Sequence, residues 1–206
     1  MGRLRIALYV LIGLLTISCN PFGTSDTLQA PPTVILQPFT GFPVKSLTYV
    51  EKKLRKSFPK IQINKPIEIP KSGFIKTYNR YVADSLINYL SRGTKPGYVT
   101  VGFTTKDICA TLNGKGKYWG IFGLGRKEKQ SCIVSTFRIK GKNKLEKLYK
   151  LTLHEIGHTQ GLNHCPNEGC YMRDAKGKDH LNQLNDFCPA CKIKLRGLIS
   201  AEIGSI

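Results

Sequence analysis

The segment from His154 to His164 reads HEIGHTQGLNH. Residues four apart on an α-helix differ in direction by only about 40°, so His154 and His158 project from one face and can hold a single ion. Glu155 stands beside the first of them, placed to polarise a metal-bound water and take its proton. Gly161 follows His158 by three residues, and His164 follows Gly161 by three more. A straight helix would carry a third imidazole away from the first two, but glycine permits the left-handed backbone that ends a helix and turns the chain back. Three protein ligands with one open position is the arrangement of a catalytic zinc, not a structural one. The chemistry expected of these residues is hydrolysis, with Glu155 passing the proton of the attacking water to the leaving group.

A second cluster begins at once. CPNEGC, then YM, then FCPAC supply Cys165, Cys170, Cys188 and Cys191. Four thiolates so grouped suit a tetrahedral structural zinc. Spacing alone leaves two disulfides, or redox chemistry at CPAC, as rival readings. Between the cysteine pairs lies Met172, one of only two methionines, the other being Met1.

H-E-x-x-H-x-x-G-x-x-H is the metzincin signature, and HEIGHTQGLNHCPNEGCYM followed by CPAC closely resembles the archaemetzincin family. The resemblance implies an α+β fold of metzincin type: one domain on a mixed sheet, with an active-site helix, a Met-turn and a C-terminal helix. It implies a catalytic zinc on His154, His158 and His164 with Glu155 as base, and a structural zinc on Cys165, Cys170, Cys188 and Cys191. Two Zn2+ per chain are thus expected. Met172 would be the Met-turn residue, a soft apolar floor beneath the ligands. Some metzincins carry a tyrosine ligand two residues after that methionine. Here the position is Asp174, and Tyr171, which precedes Met172, is given no metal role. The implied activity is hydrolysis of peptide bonds in a peptide or protein substrate. The alternative is an inactive zinc-binding envelope lipoprotein serving as an interaction module, and the intact Glu155 counts against it.

The elements that must position these residues follow from periodicity. Asn143 to Gln160 carries Leu145, Leu148, Leu151, Leu153 and Ile156 and predicts the long helix that bears the histidines. TVILQPF opens the domain as a buried strand, and Val44, Leu47, Val50, Leu54 and Phe58 predict a helix. IQINKPIEI alternates as a strand, Asn79 to Leu90 predicts a second helix, and YVTVGFT, KYWGIFGLG and SCIVSTFRI predict three more strands. A closing helix is expected from Ala190 to about Ile199. This order suits a mixed sheet with helices packed on it. Tyr118 to Leu124 is the candidate edge strand for pairing with an extended peptide. Cys109 and Cys132 flank it, either as a disulfide or as buried thiols. His180, in KGKDHLN, is expected in a loop.

The N-terminus opens with basic Arg3 and Arg5 and an apolar run from Ile6 to Ile17, too short to span a membrane as a helix. The run ends in Thr16-Ile17-Ser18-Cys19, which resembles a bacterial lipobox with Cys19 as the lipidated residue. Residues 1–18 are therefore expected to be a lipoprotein signal peptide, 19–32 a tether rich in Pro, Ser, Thr and Gly, and 33–206 a single peptidase domain. That places the domain outside the cytoplasm, in the bacterial cell envelope, held to a membrane by its lipid and expected to be a monomer. Formal net charge is +19, which raises a zinc-ribbon nucleic-acid module as a competing class. Export and the scatter of lysines along the chain argue against nucleic acid. A hydrophobic fraction of 41% with 22% charged residues sits in the globular range and excludes wholesale disorder.

Overall fold

The computed structural model describes residues 31–111 and 118–195. Cys19, the signal segment and all but the last residues of the tether lie outside the described residues, as does the end of the expected C-terminal helix. In chain order the described elements are β1 (Thr33–Pro38), α1 (Val44–Leu54), β2 (Ile61–Ile63), β3 (Phe74–Ile75) and β4 (Arg80–Val82). They continue as α2 (Ala83–Ser91), β5 (Tyr98–Thr104), β6 (Ile108–Thr111), β7 (Tyr118–Ile121), β8 (Gly123–Arg126) and β9 (Ser131–Ser135), and close with α3 (Lys144–Thr159) and α4 (Pro189–Lys194). No helix among the described residues is long and apolar enough to cross a membrane.

The main sheet has the order β2-β1-β5-β9-β8. Its first four strands run parallel, and β8 alone runs antiparallel, to β9. Val34 and Leu36 of β1 and Val99, Val101 and Phe103 of β5 pack with α1 and α3 in the larger core. The opposite face carries α2, whose Ala83, Leu86, Ile87 and Leu90 form a second core with Ile133. Strands buried on both faces read as near-continuous apolar runs, which is why YVTVGFT is matched by β5 residue for residue. A smaller sheet, β3-β4-β6-β7, stands beside the first.

Several expectations change. KYWGIFGLG is not one strand: it breaks at Phe122, so that β7 edges the small sheet and β8 edges the main one. The second helix starts at Ala83, because Arg80–Val82 pairs in parallel with β6 instead. IQINKPIEI keeps only Ile61–Ile63 as strand. The short β3 and β6 have no counterpart in the expected order. Val44, counted on the buried face of α1, is 77% exposed.

Candidate active site

The helix that carries the histidines starts at Asn143, whose φ of 59° is a left-handed value that asparagine tolerates. It ends on Gly161 at φ +85°. The Leu162 N–H donates to Gly157 O at 3.0 Å and the Gly161 N–H to His158 O at 3.0 Å, the paired bonds of a Schellman cap. This cap does more than stop the helix. It reverses the chain so that His164 returns to the other two rings, with centroids 5.4 Å from His154 and 4.9 Å from His158.

The nitrogen pattern suits a cation. His154 Nδ1 lies 2.6 Å from Tyr171 O, and His158 Nδ1 lies 2.8 Å from Leu162 O. A carbonyl can only accept, so in each neutral ring the proton sits on Nδ1 and Nε2 keeps a lone pair. Those two Nε2 atoms face each other at 3.1 Å. Two lone pairs so close repel unless a cation lies between them, and ligands about 2.0–2.1 Å from a tetrahedral zinc stand about 3.3 Å apart. Burial, with His158 close by, pushes His154 down to about 3, which favours the neutral, ligating form. Burial lowers His158 as well. One ligand-capable atom from each of His154, His158 and His164 falls within a mutual 4.8 Å.

Glu155 is 4% exposed, and burial pushes its carboxyl up to about 8 against the opposing charge of Arg126. It faces β8 across a contact that glycine makes possible. A Cβ on Gly123 would lie 2.5 Å from Glu155 Oε1, and one on Gly125 would lie 2.4 Å from Glu155 O and 2.8 Å from His158 Cβ. The Ser135 N–H donates to Phe122 O at 2.8 Å. By the alternation of an antiparallel ladder, with Leu124 opposite Ile133, Gly123 and Gly125 turn their own N–H and C=O groups away from β9. They face a cleft of about 400 Å³. The edge expected at Tyr118–Leu124 therefore lies partly in the wrong sheet. The strand beside the helix is Gly123–Arg126.

The opposite wall is the loop from Arg173 to Leu184. Two lysines of α3 hold it: Lys147, 6% exposed, donates to Asp179 at 2.6 Å and Lys150 donates to Leu184 O. Neither lysine stands out in the sequence, since both occupy ordinary polar positions of a helical pattern. His180, expected merely in a loop, lines this wall, as does Asp174. Met172 is fully buried beneath α3, where a Cβ on Gly157 would come within 2.4 Å of its sulfur. The Tyr171 ring packs edge-on against Phe187, and only its main-chain oxygen serves the histidines.

The four C-terminal cysteines meet behind this loop. Cys165 and Cys188 are 3.7 Å apart at sulfur, as are Cys170 and Cys191. A disulfide needs about 2.05 Å, whereas sulfurs about 2.3 Å from a tetrahedral zinc stand about 3.8 Å apart. The Met172 and Cys188 N–H groups both point to Cys170 Sγ at 3.4 Å. The Cys191 N–H draws the Cys188 thiol down, whereas burial pushes the Cys170 and Cys191 thiols up. Cys109 and Cys132 are both free and fully buried, in different sheets.

A parallel sheet with one antiparallel edge strand, laid against a helix bearing two histidines and a glutamate, is the layout of a metzincin-type zinc peptidase. The model of peptidase family M54 matches residues 50–197, and the chain belongs to that family of zinc-dependent metallopeptidases. The archaemetzincin of Methanopyrus kandleri is 32% identical over 62% of this chain and 72% of its own. That of Archaeoglobus fulgidus is 30% identical over 75% of this chain and 96% of its own. Among solved structures, the Methanopyrus kandleri archaemetzincin matches with a TM-score of 0.68 at 26% identity, covering 85% of this chain and 98% of that one. The Archaeoglobus fulgidus archaemetzincin, complexed with malonate, matches with a TM-score of 0.67 at 25% identity, covering 79% and 99%.

Proposed function

We propose that this metallopeptidase cleaves peptide bonds at a zinc held by His154, His158 and His164, with Glu155 as the proton carrier. The observation that carries this is the pair of Nε2 atoms facing each other at 3.1 Å, each left with a lone pair because the ring proton sits on Nδ1 and is donated to a main-chain carbonyl. Zinc bound there would supply Lewis acidity, polarising the scissile carbonyl and making water a better nucleophile.

The rest is done by the chain. The outward N–H and C=O groups of Gly123 and Gly125 pair with an extended substrate and fix its carbonyl over the histidines. Leu151, Leu181 and Leu184 give the cleft an apolar floor for a side chain. Glu155 takes a proton from the attacking water as its oxygen bonds to the carbonyl carbon. It then hands that proton to the amide nitrogen as the C–N bond breaks, and the second proton of the water passes from the new carboxyl to the released amine, leaving a carboxylate and an ammonium.

The cysteine cluster is read as a second, structural zinc site, supported by sulfur spacings of 3.7 Å. It cross-links the segment that carries Tyr171 and Met172, so it acts on the histidines through Tyr171 O. Lipidation at Cys19 would tether the domain in the cell envelope, supported by Arg3, Arg5 and the apolar run before TISC. Metal analysis of the purified protein tests the two-site reading. Two zincs per chain are expected, falling to one when all three histidines are replaced by alanine. One zinc in the unaltered protein contradicts it. Fatty-acid labelling lost in Cys19→Ala tests the anchor.

A further inference from the structure

The three histidines are not held alike. His154 and His158 each give their Nδ1 proton to a main-chain oxygen. His164 has no such partner among the described residues, and its side chain is 48% exposed. A half-exposed imidazole is free to turn, and a ligand that turns binds metal poorly. Metal-ligating histidines ordinarily donate their second N–H to a carbonyl or carboxylate that fixes ring and tautomer.

The polar group facing the His164 ring is Asp174, with Oδ2 3.7 Å from Nδ1. The main chain puts it there. The Cys165 N–H donates to Met172 O at 2.8 Å and Cys165 pairs with Arg173 in a parallel bridge, so His164 and Asp174 flank one short paired stretch. The carboxylate is itself oriented. Its Oδ1 accepts the Lys176 N–H at 2.9 Å, closing a turn through the left-handed Lys176 and Gly177. That leaves Oδ2 for His164. The neighbouring Arg173 is directed elsewhere, to Gln183 Oε1 at 2.7 Å and to Glu168.

Resting on the assignment of His164 as third ligand, we propose that Asp174 is the positioning residue for that ligand, accepting the His164 Nδ1 proton so that Nε2 faces the metal. The present 3.7 Å exceeds a hydrogen bond, and a small rotation of either half-exposed side chain closes it once Nε2 is drawn to the ion. Side chain thus does for His164 what backbone does for the other two. A direct bond from Asp174 to the metal would give four protein ligands, the closed pattern of a structural site.

The test is zinc affinity in the full chain, measured by competition with a chelator, for the unaltered protein, Asp174→Asn and His164→Ala. One carboxamide oxygen can keep the Lys176 turn but cannot also accept from His164. Asp174→Asn is therefore expected to weaken one zinc site about 10–100-fold, leaving the second zinc and the melting temperature of the metal-free protein unchanged. Unchanged zinc affinity in Asp174→Asn, with loss in His164→Ala, overturns the positioning role alone. Unchanged affinity in His164→Ala overturns the third-ligand assignment itself. Cobalt(II) substitution separates positioning from direct ligation: an absorption spectrum showing one ligand fewer in Asp174→Asn overturns the proposal, and an unchanged coordination number supports it.

Discussion

The sulfur of Met172 rests on the bare α-carbon of Gly157, so close that a Cβ there would come within 2.4 Å of it. The second of the two residues between Glu155 and His158 in the motif is thus small because the methionine beneath the helix occupies the space. Gly157→Ala gains helix propensity of about 1 kcal/mol and forces an overlap that costs about 1–3 kcal/mol in a packed core. The expected outcome is a protein no more stable than the original, with weaker zinc binding at the histidines, read by thermal melting and chelator competition. A more stable variant with full zinc affinity would contradict the contact.

Gly123 and Gly125 make different predictions although both lie on β8. The obstacle at Gly123 is the end of the Glu155 side chain, whereas at Gly125 it is helix backbone at 2.4 Å. A side chain can move aside and a helix cannot. Gly123→Ala is therefore expected to lower kcat with little change in melting temperature, by displacing the carboxyl. Gly125→Ala is expected to destabilise by about 1–3 kcal/mol, as overpacking does, and to lift β8 from α3. Steady-state kinetics and calorimetry on both variants separate the two effects.

Lys147 and Lys150 anchor the far wall of the cleft. Lys147→Met keeps most of the aliphatic length but leaves Asp179 and Lys140 O without their donor. A loss of about 1–3 kcal/mol is expected for such unmet groups. On the proposed reading this stretch of wall, Asp179 to Leu184, meets substrate, so KM should rise more than kcat falls. Equal loss in both would place the lysine's effect on the histidines instead.

Acid stability depends on Glu146 in α3. Burial alone would raise its carboxyl, but the Tyr49 hydroxyl at 2.6 Å and Lys53 at 3.2 Å outweigh it and hold the pKa below its ordinary 4.5. A carboxylate depressed in the folded state contributes stability above its unfolded pKa and loses it as pH falls through the folded value. Stability should therefore drop below about pH 4.5. Tyr49→Phe should flatten that part of the profile in denaturation measured from pH 7 to pH 3, and an unchanged slope would remove Glu146 from the account.

The histidine-bearing helix was legible because every level agreed: apolar period, histidines at helical spacing, and a glycine at the turn. β5 was legible because both its faces are buried. The strand pairing was not. Nothing local in WGIFGLG says that Ile121 pairs with β6 while Gly123 pairs with β9, since one alternating pattern serves both sheets. Tyr81 and Val82 fit a helical as well as an extended period, and partnership with β6 decides between them. Within the site, the residues that gather there were legible and their supports were not. Tyr171 and Leu162 act through main-chain oxygens, which any residue carries, and Asp174 and His180 reach the cleft through a loop whose path the sequence does not specify.

The most direct test of the peptidase site is a peptide-library digest by the zinc-loaded protein and its Glu155→Gln variant. Removing a general base costs about 10²–10⁴-fold in rate, so cleavage by the unaltered protein should nearly vanish in the variant while both retain the same zinc content. Identical products from the two proteins, or none from the unaltered one, would contradict the assignment of Glu155 and the zinc-histidine site to peptide hydrolysis.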